Sequence, residues 1–192
     1  MNTALAYRYL KMQALVLLVF GRQTAALDKF TQMLLVRPGD RYALASRAHV
    51  LAQLGDKHGA IDALRELVAR FPDTAAAWFN LAYMLEDLGG HADAEPAFRR
   101  ALEIEPKMDR AWYGLALLLI RDRRFEEAVQ ALKKNTELQP MSPFGWYQLA
   151  RVHVDRQDPD EAVKVIRHLK RFEPKVAAQL ERETGLSAAQ SS

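Results

Sequence analysis

Apolar residues recur three and four positions apart along most of this chain, which is the rhythm of one buried helical face. Trp78, Leu81, Ala82 and Leu85 show it clearly, with polar residues between them. The rhythm stops at regular places. Prolines stand at Pro38, Pro72, Pro106, Pro140 and Pro174, each 34 residues after the last. A fixed interval of this length marks a chain built from stacked supersecondary units.

Aligned on the prolines, the chain divides into five units: 7–40, 41–74, 75–108, 109–142 and 143–176. One column then holds Ala14, Ala48, Ala82, Ala116 and Ala150, and another holds Ala26, Ala60, Ala94, Ala128 and Ala162. A bulky column holds Leu10, Leu44, Trp78, Trp112 and Trp146, and a second holds Phe30, Leu64, Phe98, Leu132 and Ile166. Small columns let helices approach closely, and large ones fill the space between successive units.

Each unit reads as two helices. Gly21, Gly55 and Gly89 supply the left-handed turn that ends the first helix, and the proline ends the second. Asp40, Thr74 and Ser142 share the register position before the next helix, where a side-chain oxygen caps free amides. Asp158, Pro159 and Glu161 offer an N-cap, a first-turn proline and a capping-box glutamate. Pro96 falls inside one second helix, so that helix is expected to start late, near Asp93.

These residues resemble the tetratricopeptide repeat family, whose signature runs W-x2-L-G-x2-Y, A-x3-F and P over 34 residues. The third unit carries most of it, in Trp78, Leu81, Ala82, Leu85, Gly89, Ala94, Phe98, Ala101 and Pro106. The resemblance covers residues 7–176. Leucine replaces the usual tyrosine in four units and His153 does so in the fifth; Gln13 and Arg47 replace an expected leucine, and Asn135 stands in the column of Ala101. The fold implied is all-α: a right-handed α-solenoid of five helix-turn-helix units with a concave face lined by first helices. A single solenoid domain is expected over 1–186, with a C-terminal capping helix at about 175–184, Val176 and Leu180 inward, and a disordered tail at 187–192.

Composition narrows the class. The 192 residues are 49% hydrophobic and 27% charged, which suits a folded chain with a sizeable core. A formal charge of +3 gives nucleic acid little to hold, so no such partner is expected. Without cysteine there is no disulfide, thiolate nucleophile or cysteine-ligated metal. The run from Ala14 to Phe20 follows Arg8 and Lys11 much as a signal peptide would. It is shorter than the ~20 apolar residues of a membrane span, and no small-x-small site follows closely. A cytoplasmic protein without membrane contact is expected, and Ala- and Arg-rich usage fits a bacterial source.

The aromatics sort by register. Trp78, Trp112 and Trp146 sit in a packing column and are expected to be mostly core. The resemblance implies that three other rows face the groove: Arg8, Tyr42, Ala76, Arg110 and Phe144; then Lys11, Ala45, Phe79, Tyr113 and Tyr147; then Leu15, His49, Tyr83, Leu117 and Arg151. Asn80 and Gln148 lie beside them. The candidate peptide-binding residues are therefore Tyr42, His49, Phe79, Asn80, Tyr83, Arg110, Tyr113, Phe144, Tyr147, Gln148 and Arg151. Aromatics interleaved with arginine suit an extended peptide or a helix, with a leaning towards acidic segments. The carboxylate clamp of some family members is incomplete: Asn80 and Arg110 match, but Ala45, His49 and Gly114 do not.

No catalytic constellation appears. The five histidines, His49, His58, His91, His153 and His168, lie far apart and lack ligand spacing. Neither a nucleophile elbow nor a phosphate-binding loop is present. No enzyme activity, cofactor or metal is expected. The first helix, Ala4 to Phe20, is apolar nearly all round, with Leu15, Leu18 and Val19 falling in columns where other units carry His49, Tyr83, Glu86 or Asp87, so an oligomer interface, most simply a homodimer, is read there. The function expected is a protein-interaction module: adaptor, assembly factor or chaperone-like binder. Its rivals are a self-associating scaffold and a regulatory subunit of an enzyme complex.

Overall fold

The computed structural model describes residues 3–187. The tail expected at 187–192 lies outside them except for Ser187. The described residues form eleven α-helices and no strand. They fall into two compact units, one ending at Ile104 and one beginning at Glu105.

The first unit contains α1 (Thr3–Val19), α2 (Gln23–Val36), α3 (Arg41–Gln53), α4 (Lys57–Arg70), α5 (Ala75–Asp87) and α6 (His91–Ile104). Its helices pack as the pairs α1–α2, α3–α4 and α5–α6, with α2 on α3 and α4 on α5. The second contains α7 (Asp109–Arg121), α8 (Phe125–Leu138), α9 (Pro143–Asp155), α10 (Pro159–Lys170) and α11 (Pro174–Thr184). Here α7 pairs with α8 and α9 with α10; α8 packs on α9, and α11 on both α9 and α10.

The columns read from the sequence are the core. Both alanine columns are buried throughout. Phe30, Leu64, Phe98, Leu132 and Ile166 are buried between each pair. The tryptophans differ from expectation, being only half-buried. Each indole N–H donates to the carbonyl of the proline six residues earlier: Trp78 to Pro72 at 2.9 Å, Trp112 to Pro106 at 2.8 Å and Trp146 to Pro140 at 2.9 Å. The ring thus ties the turn that ends one 34-residue repeat to the helix that begins the next, a duty Leu10 and Leu44 cannot perform.

All five first helices end alike. The amide of the left-handed residue bonds back three positions and the following amide bonds back five, as in Gly21 N to Leu18 O (3.0 Å) and Arg22 N to Leu17 O (2.8 Å). Gly21, Gly55 and Gly89 have φ of 68°, 81° and 80°. In the last two turns the same conformation is held by Arg123 (φ 57°) and Gln157 (φ 61°), where a side chain is strained.

Four local expectations need correction. Only Asp40 of the trio Asp40, Thr74 and Ser142 caps with its side chain, accepting from Ala43 N at 2.8 Å. A shared register placed all three oxygens near free amides but did not fix their rotamers, and Thr74 Oγ1 is buried without a partner. The helix containing Pro96 starts at His91, not near Asp93. Pro96 and Ala92 are exposed, so the proline and the turn it leaves one bond short lie on the outer side of the helix. In α11, Leu180 is inward, but Ala177 is the buried neighbour and Val176 is only half-buried. At the start of α10, Asp158 caps Glu161 N at 3.4 Å, while the Glu161 side chain pairs with Lys164.

Candidate functional site

In the first unit, the first helices of the pairs carry the predicted rows. Lys11 Nζ lies 4.0 Å above the ring of Tyr42, which meets Phe30 edge-on at 6.1 Å. Tyr42 is thus anchored below by the core and covered above by a cation. Nearby, the Tyr7 hydroxyl donates to Asp40 Oδ1 at 2.7 Å, and burial together with that carboxylate raises the phenol's pKa well above its ordinary value.

On α5, Phe79 lies between Tyr83 (centroids 6.4 Å, stacked) and buried Phe98 (6.0 Å). Phe79 is half-buried, whereas Tyr83 is 53% exposed. Thus Phe79 braces and Tyr83 presents. His49 and Asn80 are exposed at the mouth of a cavity of about 290 Å³ between α3 and α5, which Tyr83 also lines.

In the second unit, Arg110 and Phe144 are exposed, Phe144 to 68%. Tyr113 and Gln148 are half-buried. Tyr147 and Arg151 already hold a ligand. The Tyr147 hydroxyl donates to Glu183 Oε2 at 2.6 Å, and Arg151 Nη1 stands 3.5 Å from the same oxygen. Gln179 donates to Glu183 Oε1 at 2.7 Å. The bonds from Tyr147 and then Gln179 hold the Glu183 carboxyl below the usual carboxylate range. Its hydrogen bond with Tyr147 chiefly raises the pKa of Arg151.

The expectation treated Tyr147 and Arg151 as open to a partner. The structure places the C-terminal helix against them. Gln179 and Glu183 were not singled out from the sequence, although with Leu180 inward they fall one helical turn apart on its flank.

The residues read as an oligomer interface separate. Val19 lies on a stripe with Leu5, Tyr9, Met12 and Val16, all between 49% and 83% exposed. Leu15 is 39% exposed and shares a helix face with Arg8 and Lys11, and Leu18 is half-buried. Among the described residues no helix is long and apolar enough to cross a membrane.

The tetratricopeptide repeat model matches residues 45–109 and 85–143. The chain belongs to the tetratricopeptide repeat family. Among solved structures, a MamA protein superposes with a TM-score of 0.80 at 18% identity, covering 94% of each chain. MamA from Desulfovibrio magneticus RS-1, from residue 41 to its end, gives 0.77 at 21% identity, over 97% of this chain and 98% of that one. YrrB, described as a TPR protein with an unusual peptide-binding site, gives 0.77 at 16% identity over 88% of each. These likenesses show the all-α solenoid fold. No curated protein matches the chain in sequence.

Proposed function

We propose that this family member is a non-enzymatic interaction module that binds an acidic segment of a partner protein on the inner rows of its first helices. An adaptor, assembly factor or chaperone-like component would act this way. The observation that carries the reading is on α9, where Tyr147 and Arg151 hold the carboxylate of Glu183. A face that grips a carboxylate from its own chain has the donors to grip one from another. The description of YrrB as peptide-binding supports the reading by likeness of fold.

Affinity capture from cell lysate tests it, with wild type beside a Tyr83→Ala, Arg110→Ala variant that circular dichroism shows to be folded. A partner retained by wild type, rich in Asp and Glu, released by added salt and lost from the variant is the expected result. Identical capture lists would refute the reading.

A second reading has its own observation. The apolar stripe Leu5, Tyr9, Met12, Val16 and Val19 runs along α1 at three- and four-residue spacing, with Met12 and Val16 flanking a groove against Ala25 and Lys29 of α2. A second copy of this chain presenting the same stripe would cover it, as in a two-fold homodimer.

A further inference from the structure

The cavity between α3 and α5 arises from a coincidence of two columns. Ala45 stands where the other units carry Lys11, Phe79, Tyr113 and Tyr147, and Ala76 stands where they carry Arg8, Tyr42, Arg110 and Phe144. Both alanines are exposed, and both line the cavity. At every other pair of successive first helices at least one of these positions is aromatic or cationic. Here the missing side chains open a path down to Leu64 and Leu67 on α4.

Its dimensions and chemistry select an occupant. The volume is about 290 Å³, whereas an apolar cavity of about 150 Å³ already accepts a benzene ring. One bulky aromatic side chain therefore fits. Thr74 lines the wall, and its buried Oγ1 lacks a hydrogen-bond partner. His49, Asn80 and Tyr83 stand at the mouth, with groups able to bond a peptide backbone.

Charge sets the flanks. The three inner rows of this unit comprise Arg8, Tyr42 and Ala76; Lys11, Ala45 and Phe79; and Leu15, His49 and Tyr83. They contain two cations and a histidine but no carboxylate. Such a surface draws acidic sequence.

We propose that the α3–α5 cavity is the anchor pocket for one bulky aromatic side chain within an acidic peptide. The proposal rests on the peptide-binding reading and adds its specificity: the partner is recognised by an aromatic residue between carboxylates, with acidity alone insufficient.

The test is selection of a displayed library of random peptides on wild type, followed by affinity measurement of the selected sequences on Ala45→Tyr. Three other units carry an aromatic at this register, so the helix accepts the change while the ring plugs the cavity. Ala76→Phe, which follows Phe144 in its column, is the second plug, and thermal melting confirms that each variant is folded. Selected peptides should share one aromatic residue beside Asp or Glu. They should weaken tenfold or more on either plugged variant, and equally when that aromatic is changed to alanine. Acidic peptides that bind the plugged variants as well as wild type would overturn the pocket and leave the peptide-binding reading standing. If no peptide is enriched, both fall.

Discussion

At the scale of single residues, the informative positions are departures from the repeat. Asn135 replaces an alanine or larger apolar residue of its column and is buried, with Nδ2 donating to Asp109 O at 2.9 Å. Across from it stands Gly145, where the preceding units have Ala77 and Ala111. A Cβ at Gly145 would lie 2.1 Å from Asn135 Oδ1 and 3.1 Å from Thr136 Cγ2. Neither departure was explicable from sequence, because the two columns lie on different helices and only packing shows that they touch. Gly145→Ala should destabilise the protein by about 1–3 kcal/mol, measured by chemical denaturation. Asn135→Ala in the same chain should recover part of that loss.

His153 is a second such residue. It fills the column of Leu17, Leu51, Leu85 and Leu119 and is 3% exposed, with no hydrogen bond to Nδ1. Burial pushes its pKa below the ordinary value of 6.5, against the pull of Asp158. The unfolded chain therefore takes up this proton more readily than the folded one. Its contribution to stability is complete above pH 6.5 and falls away as the pH drops from there through the folded value. His153→Leu should flatten this limb of a plot of melting temperature against pH. Identical wild-type and variant slopes below pH 6.5 would show that other groups set it.

At the scale of elements, the ends of helices were more legible than their caps. The column that ends each first helix needs a positive φ, and the three glycines announced it. Arg123 and Gln157 adopt the same conformation without glycine, since the hydrogen-bonded turn and flanking helices impose it. A left-handed side chain costs roughly 1–2 kcal/mol, of which glycine's greater unfolded-state freedom takes back about half. Gln157→Gly should therefore raise stability by about 0.5–1 kcal/mol, seen as a higher denaturation midpoint with unchanged slope. The side-chain caps were less legible. Thr74 and Ser142 occupy the register of Asp40 but do not use it, and a rotamer is chosen by its surroundings.

At the scale of the whole molecule, the two readings of function use different surfaces and respond to different changes. Val16→Glu places a charge in the α1 stripe away from the inner rows. If copies of this chain pair through that stripe, analytical ultracentrifugation at tens of micromolar should show wild type as a dimer and Val16→Glu as a monomer. A monomeric wild type would remove self-association through α1 and leave the inner rows as the working surface. The modest charge of +3 does not favour either surface by itself.

The sequence alone determined the repeat length, the all-α class, the buried alanine columns and the glycine turns. These are properties repeated every 34 residues, and each recurrence is an independent report of the same local packing. Tertiary structure decided what happens where the repeat is broken. It placed Glu183 on Tyr147 and Arg151, set Asn135 against Gly145, and opened a cavity where Ala45 and Ala76 meet. Each of these depends on which departures face each other across a helix pair, and periodicity carries no information about a contact made only once.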